Sequence, residues 1–436
     1  MEIKDELKLL ANLIKENGYT LYIVGGYVRD SILGLKNDDI DITSSMPYTD
    51  IEALCVKNGY TCKVINKTLG TLQIIKNGLK LEYTQFRKES YTSPAKHSPD
   101  SVEFVDDINI DVSRRDLSIN SIYYDILADK YIDIVGGIND TLKGVIRTTS
   151  APHITLKDDG LRVLRTIRFA GTLNFKIERH TSLALHKFKA NLKAISKERI
   201  LKELSLIATA DLIYNRPNKK GLELINKYGL LPYIFNSRLK GVEKFKKDEI
   251  ETYYTLPKEA RLIALYVLVL KKYLKDYSKD EQLMFACNML LGLDGIKESK
   301  GNIATTEKVY RIYQNITYDK DTLTASINYL TLSNTERSIV DINLNKNAKV
   351  VLSDNISAIK RNHLPLSVHE LPIKPDDLIE AGIENKYISK ILSSLYNQVL
   401  SMAVKNSKEE LLKRAKEINE TFVKLSKDIN KNDTKK

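Results

Sequence analysis

The sequence predicts an α+β fold: an N-terminal α/β head with a small mixed, antiparallel-rich sheet, followed by helical segments to the end. Three observations predict it. Short apolar runs of strand length are confined to roughly the first 150 of the 436 residues. Two of those runs are joined by Asn77-Gly78, the pair that favours a tight type I′ hairpin turn. Beyond them, apolar residues recur at helical spacing and strand signals fade.

Each element follows in order. Leu7, Leu10 and Ile14 make one face of a helix over residues 2–17, which Asn17-Gly18 would end. Leu21-Tyr22-Ile23-Val24 has the length of a buried strand. Residues 48–58 read as a helix. Thr71 to Ile75 and Leu79 to Thr84 flank Lys76-Asn77-Gly78 as the two arms of the hairpin. Residues 88–101 are polar and carry Pro94 and Pro99, so a mobile loop is expected there. Ile119 to Ile126 is strand-like, and Lys427 to Lys436 is a lysine- and asparagine-rich stretch expected to be disordered.

Composition narrows the function. No run approaches the roughly twenty apolar residues of a membrane span, and the first residues are charged, so a soluble, cytoplasmic protein is expected. Cys55, Cys62 and Cys287 have no CxxC spacing, which points away from a disulfide framework and a thiolate zinc site. The six histidines form no HxxxH or HExxH pattern, which disfavours a histidine-based hydrolase. A formal charge of +12 is compatible with a polyanionic partner, although lysine is abundant throughout the chain.

The chemistry concentrates in two segments. Gly25-Gly26-Tyr27-Val28-Arg29-Asp30 follows the first strand: two glycines let the backbone approach an anion, and Arg29 adds a fixed positive charge. Asp39 and Asp41 alternate with Ile40 and Ile42, so in extended chain both carboxylates share a face, as a Mg²⁺ site with substrate phosphates needs. Either piece alone is a common turn or surface feature; their combination at this spacing is specific. On the hairpin's second arm Glu82 can supply a third carboxylate near the pair. The second segment, Asp158 to Phe169, places Leu161, Leu164 and Ile167 in one row and Arg162, Arg165 and Arg168 in another. On a helix these rows lie about 100° apart, so the arginines border the buried face. Asp159, three residues before Arg162, is expected to orient that guanidinium. Three arginines in a row ask for an anionic or planar hydrogen-bonding partner.

Together these segments resemble the class II tRNA nucleotidyltransferases, the CCA-adding enzymes and their bacterial poly(A) polymerase relatives, most densely between residues 20 and 205. Gly25 to Asp30 with Asp39 and Asp41 is similar to the family's nucleotidyltransferase signature, whose aspartates hold the catalytic metals. Arg114-Arg115-Asp116 resembles the RRD motif that contacts the incoming nucleotide, and Asp133 to Leu142 resembles the hinge of head and neck. Asp158-Asp159-Gly160-Leu161-Arg162 is similar to the nucleotide-selecting EDxxR motif, with Asp158 in place of glutamate and one carbon shorter. Ser196 to Ile200 is similar to the last neck motif. Residues 371–383 (Leu371-Pro372-Ile373-Lys374, Asp377-Leu378, Gly382-Ile383) also resemble the family's tail.

The resemblance implies a nucleotidyltransferase-type head (1–145), a helical neck that selects the nucleotide (146–210), a helical body (211–330) and a helical tail that binds tRNA (331–426), ahead of the disordered 427–436. It implies template-independent addition of C, C and A to the tRNA 3′ end from CTP and ATP with Mg²⁺, with the tRNA elbow gripped by the C-terminal helices. Asp39 and Asp41 would hold metal, with Glu82 as a third catalytic carboxylate. Gly26, Arg29, Arg115, Asp116, Asp159, Arg162, Arg165 and Arg168 would bind nucleotide. Given those roles, a carboxylate acceptor and a guanidinium donor can meet cytosine and adenine, which pair an exocyclic amino donor with a bare ring nitrogen, and reject guanine and uracil. A poly(A) polymerase, a partial CC- or A-adding enzyme and an inactive RNA-binding protein on the same scaffold are the alternatives. Leu81 to Arg87 resembles the CCA-adding version of its strand.

Overall fold

The computed structural model describes residues 3–91, 99–214, 218–235, 244–273, 300–318 and 321–433. The chain forms two units, Met1–Lys300 and Gly301–Lys436. The expected body, 211–330, straddles that division.

The first unit opens with helix α1 (Asp5–Glu16), whose Leu7, Leu10, Ala11 and Ile14 are buried as the spacing predicted. Strand β1 (Tyr22–Val24) leads into helix α2 (Gly26–Ile32), and β2 (Ile40–Ser44) follows. Helix α3 (Tyr48–Lys57) precedes β3 (Thr61–Asn66), β4 (Thr71–Lys76) and β5 (Leu79–Gln85). Asn77 and Gly78 take φ of 48° and 76°, the pair of positive values that a type I′ turn requires.

A separate antiparallel ribbon of β6 (Arg87–Ser90) and β7 (Ser101–Phe104) corrects the edges of the loop expected over 88–101, since 88–90 and 101 are strand while 91, 99 and 100 are irregular. The prolines fall outside its strands, so both flanks can pair; residues 92–98 lie outside the described residues. Helix α4 (Ile108–Ser113) follows. The apolar run 119–126 also divides: Ser118–Asn120 is a 3₁₀ turn, and only Tyr123–Asp125 (β8) joins the sheet, paired with β9 (Lys130–Ile132).

The seven-stranded sheet has the order β3-β4-β5-β2-β1-β8-β9. Only β2 and β5 run parallel within it, which makes the sheet mixed and mainly antiparallel, as expected. Ile23, Ile42, Leu72, Ile74 and Tyr83 on its strands pack with α1 and Ile51 of α3 in one apolar core.

Helix α5 (Gly137–Lys143) and the short strand β10 (Val145–Ile146) lead to α6 (Pro152–Asp158) and α7 (Leu161–Leu173). Strand β11 (Lys176–Ile177) pairs with β10; α8 (Arg179–Phe188), α9 (Lys197–Ala208), α10 (Lys220–Tyr228), α11 (Leu231–Ile234), α12 (Lys247–Tyr253) and α13 (Lys258–Tyr273) are helical. Helix α7 is buried on nearly every side, so its arginines are more enclosed than a row bordering the core would be. Arg162 is only 8% exposed.

In the described residues the second unit is helical, with an apolar core that includes Leu371, Leu378, Ile391, Leu395 and Leu411. Its last helix spans Lys408–Asp433, so residues 427–433 continue a helix where disorder was expected, and 434–436 lie outside the described residues. Polar composition alone does not end a helix, and neither glycine nor proline interrupts 408–433. Among the described residues no helix is long and apolar enough to cross a membrane.

Candidate active site

Two glycines, two aspartates and the arginines of α7 line one cleft of about 620 Å³ in the first unit. Gly25 closes the turn from β1 into α2 with φ of +87°, and a Cβ there would stand 3.3 Å from Asp41 Oδ2. A side chain would be strained by the backbone and would crowd the carboxylate.

Asp41 lies in β2, with Ile40 and Ile42 buried behind it, as the alternation predicted. Asp39 immediately precedes the strand and also lines the cleft. Glu82 stands opposite Asp41 in the parallel β2–β5 register and is exposed. Burial, then the charges of Asp39 and Glu82, push the Asp41 carboxyl up to about 7. Excess negative charge of this kind suits a cation. Among the described residues no three carboxylate, histidine or cysteine side chains converge as a metal cage. Glu82 adds its charge beside the aspartate pair. Two carboxylates and substrate oxygens are a sufficient ligand set for Mg²⁺, so Asp39 and Asp41 fit that ion.

The arginines are braced by acids. Arg29, 3% exposed, donates to Asp30 through Nε and Nη2, to Asn120 Oδ1 at 2.6 Å and to the Tyr214 hydroxyl. Arg115 donates to Asp111 Oδ2 and to the Tyr123 hydroxyl. Although burial opposes its charge, Arg115 and Arg114 hold Asp111 down at about 2. Arg165 donates to Asp116 Oδ2 at 2.6 Å, and against burial this pairing keeps Asp116 at about 2. Arg168 donates to Glu203 of α9 at 2.7 Å and lies over the Phe169 ring.

One expectation fails. Asp159 does not orient Arg162, because α6 ends at Asp158 and α7 begins at Leu161, so the two residues do not share a helix. Asp159 Oδ1 accepts the Leu161 N–H, while Oδ2 lies 3.5 Å from Arg199 Nη2. Arg162 donates instead to the carbonyls of Thr155 and Arg114, at 3.1 and 2.7 Å. Both residues nonetheless line the cleft.

Sequence reasoning missed Asp111, Asn120, Glu203 and Tyr214. Asp111 had a local signal, since it stands four residues before Arg115 and both would share a helical face. Glu203 and Tyr214 are brought in only by folding. Cys55 and Cys62 are free thiols; Cys287 lies outside the described residues.

The family described as "Poly A polymerase head domain" matches residues 21–147. The family described as "Probable RNA and SrmB- binding site of polymerase A" matches residues 174–238. A CCA-adding enzyme of Ligilactobacillus salivarius (strain UCC118) is 30% identical, over 97% of this chain and 98% of that protein. The Bacillus stearothermophilus CCA-adding enzyme in complex with CTP superposes with a TM-score of 0.66 at 21% identity, over 97% of this chain and 100% of that one. The Thermotoga maritima CCA-adding enzyme complexed with tRNA gives 0.64 at 20% identity, over 95% of each chain. At that identity the likeness of structures shows the fold.

Proposed function

The chain belongs to the CCA-adding enzymes, a family of tRNA nucleotidyltransferases, and we propose that it adds C, C and A in turn to the 3′ end of tRNA from CTP and ATP. The observation that carries this reading is the cleft itself, where Asp39 and Asp41 share one pocket with Arg162, Arg165 and Arg168. Acids for metal and bases for a nucleotide meet there.

In the reaction the tRNA 3′-hydroxyl oxygen bonds to the α-phosphorus, the bond to the β-phosphate oxygen breaks, and pyrophosphate leaves. Asp39 and Asp41 would hold Mg²⁺, which when bound neutralises phosphate charge and favours the ionised hydroxyl. Arg29, Arg115 and Asp116 orient the triphosphate and sugar, and Gly26 leaves room for the backbone to approach. Bracing by Asp111, Asp116 and Glu203 fixes the guanidinium groups before substrate arrives, so little ordering remains to be done on binding. Residues 1–145 then act as the catalytic head, 146–210 as the selecting neck, and the helices that follow as body and tRNA-binding tail.

Asp159 and Arg162 select the base. Arg162 is pinned by two carbonyls rather than by Asp159, so acceptor and donor are held independently. Guanine or uracil would leave these groups unpaired, which makes rejection steep. The test is single-nucleotide incorporation by Asp159→Ala and Arg162→Ala. Each substitution is expected to narrow the preference for CTP and ATP over GTP and UTP by about 100-fold. Unchanged preference in both would contradict this role. A poly(A) polymerase reading draws on the head-domain match, but the relative that spans nearly the whole chain favours CCA addition.

A further inference from the structure

Tyr214 follows the 3₁₀ turn Ala210–Leu212, well after the head sheet and the arginine helix. Its hydroxyl nevertheless donates to Asp30 Oδ2 at 2.5 Å. Asp30 is 0% exposed and belongs to α2. The same oxygen accepts from Asn37 Nδ2 at 2.7 Å. At its other end Asn37 Oδ1 accepts the backbone N–H of Asp39 at 2.9 Å. An asparagine amide offers one acceptor end and one donor end, so using both fixes its plane.

This bond matters because of where β2 starts. The strand begins at Ile40, and no ladder pair includes Asp39. Its backbone N–H is secured instead by the Asn37 side chain, and Asn37 is secured by a buried carboxylate. Asp30 also accepts from Nε and Nη2 of Arg29, so it is the junction on which the arginine, the asparagine and the tyrosine converge. Tyr214 packs against the apolar cluster that includes Phe169 and Leu173. Burial pushes that hydroxyl up to about 12, the bond to Asp30 adding to it, so it is a proton donor at neutral pH.

We propose that Tyr214 is a positioning residue for Asp39, acting through Asp30 and Asn37, so that a turn far along the chain sets the place of a carboxylate of the metal site. Mutation at either end of the chain Tyr214, Asp30, Asn37 then loosens the same backbone. The inference rests on the reading of Asp39 as a metal-holding residue.

The test uses the full-length protein and Mn²⁺ as the probe, with binding followed by electron paramagnetic resonance in the absence of nucleotide. Tyr214→Phe keeps the ring and removes the hydroxyl, with its donation to Asp30 and its acceptance from Arg29. The expected result is Mn²⁺ binding weakened about 10-fold, a lower kcat, an unchanged KM for CTP and an unchanged Tm. Asn37→Ala should weaken binding similarly, and the double variant should be no worse than the poorer single one, because both act on one chain of bonds. A rise in the KM for CTP with normal Mn²⁺ binding would assign Tyr214 to Arg29 alone and overturn the inference. So would losses that add in the double variant. Asp39→Asn separates the two readings. If it leaves Mn²⁺ binding intact, the metal assignment fails and the inference falls with it. If it abolishes binding while Tyr214→Phe changes nothing, only the positioning role is refuted.

Discussion

At Asp41 burial and two like charges both oppose the ionised form. Replacing it by asparagine removes that repulsion along with the ligand. Asp41→Asn should lower kcat by about 1,000-fold while leaving Tm equal or higher, a combination that incorporation assays and thermal unfolding can check together. Asp111 and Asp116 behave oppositely. Both fall from an ordinary value of 3.8 to about 2 in the folded chain, because arginines face them. The folded state thus binds their protons less tightly than the unfolded one. The stabilisation is complete above the unfolded value and is lost as pH falls from about 5 to about 2, on the order of 2 kcal/mol for each group. Unfolding followed against pH should show a shallower acid limb in Asp111→Asn than in the parent. At this scale the sequence was readable where chemistry is local. Alternation exposed Asp39 and Asp41, and three-residue spacing exposed the arginine row. The acids that brace those arginines were legible only when they lay within one helical turn, as Asp111 does.

Elements were legible where turn chemistry is explicit. The Asn77-Gly78 hairpin and helix α1 match expectation closely, because a positive-φ turn and an apolar stripe leave few alternatives. The ribbon of β6 and β7 was hidden because its proline-bearing middle dominates its composition, and the pairing of its ends is a long-range fact. The break before α7 was hidden as well, because Asp158-Asp159 reads as the acidic start of the helix whose leucine and arginine rows begin at Leu161 and Arg162. Gly160 marks that break. A Cβ there would meet the Asn191 carbonyl oxygen at 2.6 Å, although the backbone itself, with φ of −59°, would accept a side chain. Gly160→Ala should therefore shift the start of α7, costing about 1–3 kcal/mol and narrowing base preference through Asp159 and Arg162. Unfolding and nucleotide competition measure the two effects separately. Gly137 is tighter still: a Cβ there would stand 2.2 Å from the Ser118 carbonyl oxygen, which ties α5 to the 3₁₀ turn after the RRD motif.

For the molecule as a whole, the charge of +12 is compatible with the polyanionic substrate that the proposed function requires. If about six phosphates are contacted, tRNA affinity should fall about 1,000-fold between 50 and 200 mM salt, a slope that filter binding can read. The division of the chain at Lys300 was not legible in sequence, because helical periodicity runs on both sides of it. The property that defines the proposed function is that one cleft, without a nucleic-acid template, builds a defined three-nucleotide end. It is checked by incubating the full-length protein with Mg²⁺ and tRNA ending at the discriminator base, at C or at CC, with each nucleotide singly and with CTP plus ATP, and resolving products to one nucleotide. Growth should stop at CCA, with GTP and UTP inert. Long A tracts, arrest at CC, or no incorporation would overturn the proposal.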